Sequence, residues 1–242
     1  MLGLAIHTSS PQLGLMLKSV VPAEASDAAD EVNSVARHQV WDLGREVSSQ
    51  LHTKLIDFIA PYSWQDLCFV AVAKGPGGFT GTRIGVVTAR TLAQQLDIPL
   101  FGVSTTAALA TEALSNALSD TPLDNPADNN SGNNDSSNND IAVMMPAKRE
   151  AVFGAIYRPD GEGDLHSVLA DQVMPEAKWA TTLKGWHEAQ GRSLRQIETM
   201  PSEGLAESVT GVMTLACVRW AKQARPDWSS VMPFYGQHPV TR

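Results

Sequence analysis

Residues 73–85 read AKGPGGFTGTRIG. They follow an apolar run, LCFVAVA at 67–73, that suits a buried strand, and they lead into Ile84, Val87, Leu92 and Leu96, whose steps are helical. The order is strand, glycine turn, helix. Glycines let a backbone bend freely and approach a neighbour closely. Successive amides ahead of a helix N-terminus can also form a nest for phosphate. Gly75, Gly77, Gly78, Thr80, Gly81 and Arg83 are therefore candidate phosphate or nucleotide contacts. Neither standard nucleotide motif is complete. A Walker A loop needs Lys then Ser or Thr after its last glycine, where Gly81 is followed by Thr82 and Arg83, and Thr80 stands where the dinucleotide pattern has its third glycine. The other reading, a tight turn whose glycines let a helix pack on a sheet, fits the spacing equally well. Arg83 reads first as a surface or interface charge.

Working outward, 2–6 and 13–17 are short apolar runs joined by turn-forming residues, which predicts a β-hairpin. Over 39–59 the residues Val40, Leu43, Val47, Leu51, Leu55 and Phe58 recur at steps of three and four, which predicts one long amphipathic helix. Residues 99–103 read as a strand, with Ser104 as N-cap of an Ala-rich helix. Residues 119–140, SDTPLDNPADNNSGNNDSSNND, have the composition of a disordered insertion, and they lack the ligand spacing of a calcium loop. Beyond them, 141–145 and 151–157 suit paired strands. A last helix carries Leu205, Val209, Val212, Met213, Ala216 and Trp220 and stops before Pro226. The expected division is an N-terminal lobe at 1–104, a connecting helix at 105–118, the insertion at 119–140, and a C-terminal lobe and tail at 141–242. Hairpins followed by strand–helix alternation predict an α/β or α+β chain with a mixed sheet.

Composition narrows the function. At 242 residues, 43% hydrophobic and 18% charged, the chain is expected to be soluble and folded. Its net charge of −8 argues against autonomous nucleic-acid binding, although Asp residues of the insertion supply much of it. No apolar run suits a membrane span and the start lacks a basic-flanked leader, so a cytoplasmic protein is expected. Cys68 and Cys217 are too few for a disulfide scaffold and wrongly spaced for zinc. His38 and His52 are too far apart to share a metal on one helix face, and no GxSxG elbow is present.

The ungapped stretch GPGGFTGTRIGVVTARTLA at 75–93, then IPLFGVSTTAALA at 98–110, resembles the TsaB (YeaZ) family, whose pattern is GPGSFTGxRIG followed by PxxGVSxLxxLA. LAIHTSS at 4–10 is similar to that family's opening LAIDTS, and AVMMPAKREAVFGAIY at 142–157 stands where the family has strand, DAR and strand. Gly185 with Trp186 is similar to a family GW, and Pro233 with Tyr235 to a terminal PxYLR, though Gly236 and Gln237 replace its Leu and Arg.

The resemblance implies a two-lobed actin-like (ASKHA, RNase H-like) fold with mixed sheets and flanking helices. It also implies a non-catalytic subunit that binds and activates TsaD, alongside the ATPase TsaE, in making N6-threonylcarbamoyladenosine in tRNA. No catalytic or metal residue is then expected here, and ATP and a divalent metal are expected on the TsaD-like partner. Departures from the pattern agree. His7 stands where this fold class carries an acid, and a neutral imidazole is a poor ligand for magnesium. Pro146 and Lys148 replace the Asp and Arg of DAR, with Glu150 displaced by one residue. The helices at 39–59 and 82–96 are the expected partner surface, through Val40, Leu43, Gly44, Val47, Leu51, Ala89 and Ala93, facing TsaD or a second copy of the chain. Two rivals are an ATP-dependent phosphotransferase of the same fold class and a self-associating scaffold unrelated to tRNA.

Overall fold

Strict alternation in the first strand decides how the layers form. In β1 (Leu2–His7), Leu2, Leu4 and Ile6 join one apolar cluster while Ala5 joins another on the opposite face. β4 (Leu67–Ala73) repeats this with Val70 and Val72 against Phe69, Ala71 and Ala73. Every residue of both strands is buried, as a sheet covered on two faces requires. This is seen in a computed structural model of the chain that describes residues 1–20, 35–119, 139–200 and 204–236.

The first sheet has five strands in the order β3-β2-β1-β4-β5. β2 (Gln12–Ser19) pairs antiparallel with β1 and with β3 (Ala36–Asp42), whereas β4 and β5 (Leu100–Val103) run parallel to β1. α1 (Val47–Ile59) and α2 (Phe79–Leu96) cover one face, with Leu51, Leu55, Val86, Ala89 and Ala93 against the leucines of β1 and β2. α3 (Thr105–Ser119) and α6 (Val209–Ala221) cover the other. These two cross closely, because a Cβ on Gly211 would strike the backbone of Ala108.

The second sheet has four strands, β8-β7-β6-β9. β6 (Asn139–Pro146), β7 (Ala151–Pro159) and β8 (Leu165–Pro175) form an antiparallel meander, and β9 (Ser193–Glu198) lies parallel to β6. Ile141, Val143, Ala155 and Tyr157 share a cluster with α3 and α6, so those helices are sandwiched between the sheets. The far face of the second sheet packs under α4 (Glu176–Lys184) and α5 (Trp186–Gln190) through Trp179 and Trp186. This is an α/β, two-sheet architecture with both sheets mixed.

Three expectations need correction. The single helix over 39–59 is instead strand β3, a turn and α1, because residues 36–42 pair along β2, with Val40 opposite Gly14. Leu43 and Gly44 lie in the turn, Gly44 at a φ of +54°. The insertion is shorter than 119–140 at both ends: Ser119 closes α3, Asn139 and Asp140 begin β6, and 120–138 lie outside the described residues. Finally, α6 does not stay with the second sheet but packs against β1, β2 and β4, since its apolar positions point to both sheets.

Candidate functional site

The glycine turn joins β4 to α2 at the end of the parallel strands, beside the β1–β2 turn. Gly75 sits at a φ of +95°, a conformation that strains any side chain. The remaining glycines answer to close approach. A Cβ on Gly77 would run into Ser9 O, one on Gly81 into Thr8 O, and one on Gly85 into Thr8 Oγ1. The Gly78 amide donates to Ser9 O at 2.6 Å and Thr8 Oγ1 donates to Gly81 O at 2.8 Å. Carbonyl oxygens therefore face the turn where a phosphate nest needs free amides, and negative dipole ends disfavour an anion there. Gly75, Gly77 and Gly78 lie on the turn, and Thr80, Gly81 and Arg83 lie in the first turns of α2, with Thr80 and Arg83 exposed. Its geometry is that of helix-on-hairpin packing.

His7 ends β1, fully buried, with the Ser9 amide donating to its Nδ1 at 3.4 Å. Burial holds the ring neutral, lowering its pKa from 6.5 to about 3. Among the described residues Nε2 has no partner, and neither do the buried hydroxyls of Ser9, Thr82 and Thr105 around the same turn. Pro146 ends β6, while Lys148 and Glu150 are exposed on the β6–β7 turn. Among the described residues, no group of three or more His, Cys, Asp or Glu could hold a metal ion. A metal–nucleotide pair at this turn would meet the Thr8 and Ser9 carbonyl oxygens and a neutral imidazole.

The expected partner residues fall into two sets. Val47, Leu51, Ala89 and Ala93 face inward and are buried in the core, because the helical stripe that reads as apolar is the one covering the sheet. Val40 and Leu43 are half-buried on β3 and the following turn, and Gly44 is exposed with open space around its Cα. What the helices show to solvent is different. Ile56 on α1 is 61% exposed, and Phe79 and Val87 on α2 are 41% and 54% exposed. Phe79 also meets Tyr235, ring centroids 4.6 Å apart.

Two carboxylates, Asp140 buried and Asp171 half-buried, escaped sequence reasoning. Asp140 is fully buried; it accepts from Arg158 Nε and Nη2 at 2.8 and 2.9 Å, from Arg192 Nε at 2.9 Å and from Trp186 Nε1 at 3.0 Å. Burial pushes its pKa up, but these bonds outweigh it and the carboxyl titrates below the usual range. Asp171, on β8, accepts from Thr106 Oγ1 and lies 3.4 Å from Tyr157 Oη, which also bonds Ser104 Oγ at 3.2 Å. Burial raises the Asp171 pKa, with the Thr106 and Ser104 hydroxyls and the Lys74 charge opposing it. Residues this far apart in sequence left no local signal, although Trp186 of the GW pair was in view.

Against known proteins, the chain is 33% identical to the Bacillus subtilis tRNA threonylcarbamoyladenosine biosynthesis protein TsaB over 184 residues, 75% of this chain and 65% of that protein. It is 26% identical to the Escherichia coli protein of the same name over 227 residues, 82% of this chain and 87% of that one. The chain is similar in sequence to these TsaB proteins over three quarters of its length or more. The aligned part spans just under two thirds of the Bacillus protein's length. Residues 51–126 also match the model described as TsaD, tRNA N6-adenosine threonylcarbamoyltransferase, a stretch that holds α1 from Leu51 onward, the glycine turn and α2. Among solved structures, YeaZ from Pseudomonas aeruginosa superposes with a TM-score of 0.64 at 20% identity, covering 97% of this chain and 99% of that one. A second Pseudomonas structure, described as similar to peptidase YeaZ, superposes at 0.66. The fold is thus that of these solved YeaZ structures. Among the described residues no helix is long and apolar enough to cross a membrane.

Proposed function

We propose that this chain is a TsaB subunit of the machinery that makes N6-threonylcarbamoyladenosine in tRNA, acting in the cytoplasm by binding and activating a TsaD-like partner. The observation that carries this reading is the closed glycine turn. Thr8 and Ser9 carbonyls pack against it and a buried neutral His7 stands beside it, so the fold's phosphate-handling end has become a packing contact. Catalysis, with ATP and a divalent metal, then falls to the partner, and the ATPase step to a TsaE-like protein. This chain contributes a preformed surface, which acts by favouring one conformation of its partner.

The outward faces of α1 and α2 are that surface, with Ile56, Phe79 and Val87 as its apolar points and Arg83 as a rim charge. A stable pair needs about 800 Å² buried on each side. Size-exclusion of the chain with a cognate TsaD-like protein, followed by a tRNA threonylcarbamoylation assay, tests the proposal. Co-elution and restored transfer are expected, and both are lost in the double variant Ile56→Glu/Val87→Glu. Transfer or appreciable ATP hydrolysis by the isolated chain would overturn it. A homodimer that persists when the TsaD-like protein is added would favour self-association through the same face.

A further inference from the structure

A groove of about 530 Å³ lies away from the glycine turn, between the β5 edge, the end of α6 and the segment that follows it. Its walls include Phe101 and Val231, and its charged groups are Lys74, Arg219 and Arg225, with no carboxylate in the lining. The volume is within the range of small-molecule sites. Each cation is held differently. The Arg225 guanidinium lies flat on Trp220, 3.4 Å from the ring centroid, and its Nη1 donates to Trp220 O at 3.0 Å and Ala224 O at 2.7 Å. Arg219 is oriented from behind by Asp164, Nη2 to Oδ1 at 3.0 Å, which offsets its charge. Lys74 is half-buried and, among the described residues, its ammonium has no hydrogen bond or ion pair, although Asp171 lies within electrostatic reach.

The strand edge adds a neutral donor. Leu100 turns its amide away from β4, donating to Pro226 O at 3.2 Å. Two residues on, Gly102 turns its amide to the same side, into the groove. An ammonium, a guanidinium and an edge amide converging beside apolar walls suit a tetrahedral oxyanion on an organic body, the pairing that Arg and Lys make with phosphate.

We propose that this groove binds a small phosphate-bearing molecule, its phosphate held by Lys74, Arg225 and the Gly102 amide. The inference is independent of the role in tRNA modification. It is tested by titrating the full chain, labelled with ¹⁵N, with sodium pyrophosphate, reading backbone amides by NMR and affinity by calorimetry. Saturable shifts at Gly102 and Lys74 are expected. Lys74→Gln should weaken binding about tenfold, the loss of one charged hydrogen bond, while Arg83→Gln on the glycine turn leaves it unchanged. Shifts confined to residues 77–83 would overturn the proposal. So would an equal response to sodium acetate at matched ionic strength, or a dissociation constant above about 10 mM. If Lys74→Gln does not fold, the shift map of the unaltered chain decides alone.

Discussion

Two buried polar regions of this molecule are built on opposite plans. At the glycine turn the groups are neutral and crowded: carbonyls of Thr8 and Ser9 press on glycines, and His7 Nε2, Ser9 Oγ, Thr82 Oγ1 and Thr105 Oγ1 have no partner among the described residues. At the start of β6 a single carboxylate, Asp140, is ringed by Arg158, Arg192 and Trp186. Satisfied ion clusters lock structure, whereas unsatisfied buried groups collect where function rather than stability shaped the site. The hairpin backbone packs into the glycine turn, and the Asp140 cluster ties β6 to β7 through Arg158.

Breaking each region should separate these plans. Gly81→Ala is expected to have the largest effect, more than about 4 kcal/mol of stability, because its Cβ meets a backbone carbonyl that cannot swing aside. Gly44→Ala, with open space at a φ of +54°, should cost only about 1–2 kcal/mol. Urea denaturation of the two variants measures the gap. Next comes Asp140→Asn, which leaves two arginines without their counter-charge and should cost about 3 kcal/mol in the same experiment. A loss near zero would mean that water replaces the carboxylate.

His7 sharpens the comparison through pH. Above pH 6.5 the imidazole is neutral folded and unfolded, so it adds no pH dependence. Between 6.5 and about 3 only the unfolded chain takes up the proton, so stability falls as the pH falls, by up to about 1.4 kcal/mol per pH unit. His7→Gln should flatten that slope relative to the unaltered chain, as thermal melts from pH 7 to 4 would show. Asp140, whose pKa is lowered, also loses its contribution in acid, but only around and below the ordinary carboxylate range. The smallest effect is expected for Val87→Glu: within about 0.5 kcal/mol for the isolated chain, because the residue faces solvent, yet with loss of the partner.

The layers were legible wherever a pattern is local. The β1–β2 hairpin, the strand–turn–helix around 67–96 and the start of α3 after Ser104 stand as their periods and caps predict. The 39–59 stretch misled because Val40 and Leu43 continue the spacing of α1 by coincidence, and pairing with β2, which no local pattern reports, claims 36–42 for the sheet. The same limit hid the site's polar partners. Thr106 meets Asp171 across 65 positions of chain, and Arg192 meets Asp140 across 52. The glycine turn was legible as a turn, but its occupant, the Thr8–Ser9 backbone, became visible only once the hairpin was folded against it.

The segment after α6 ties together the edge of the first sheet, the start of the glycine turn and the head of α2. Pro226 O receives the Leu100 amide at the sheet margin, the Phe234 amide reaches Lys74 O at 2.7 Å, and Tyr235 packs at a tilt against Phe79 at the head of α2. Peeling this strap away would uncover a sticky strand border and, in the same movement, loosen the first turn of the proposed docking helix. Solubility and partner recognition are therefore mechanically joined, and a change selected for one will be felt by the other.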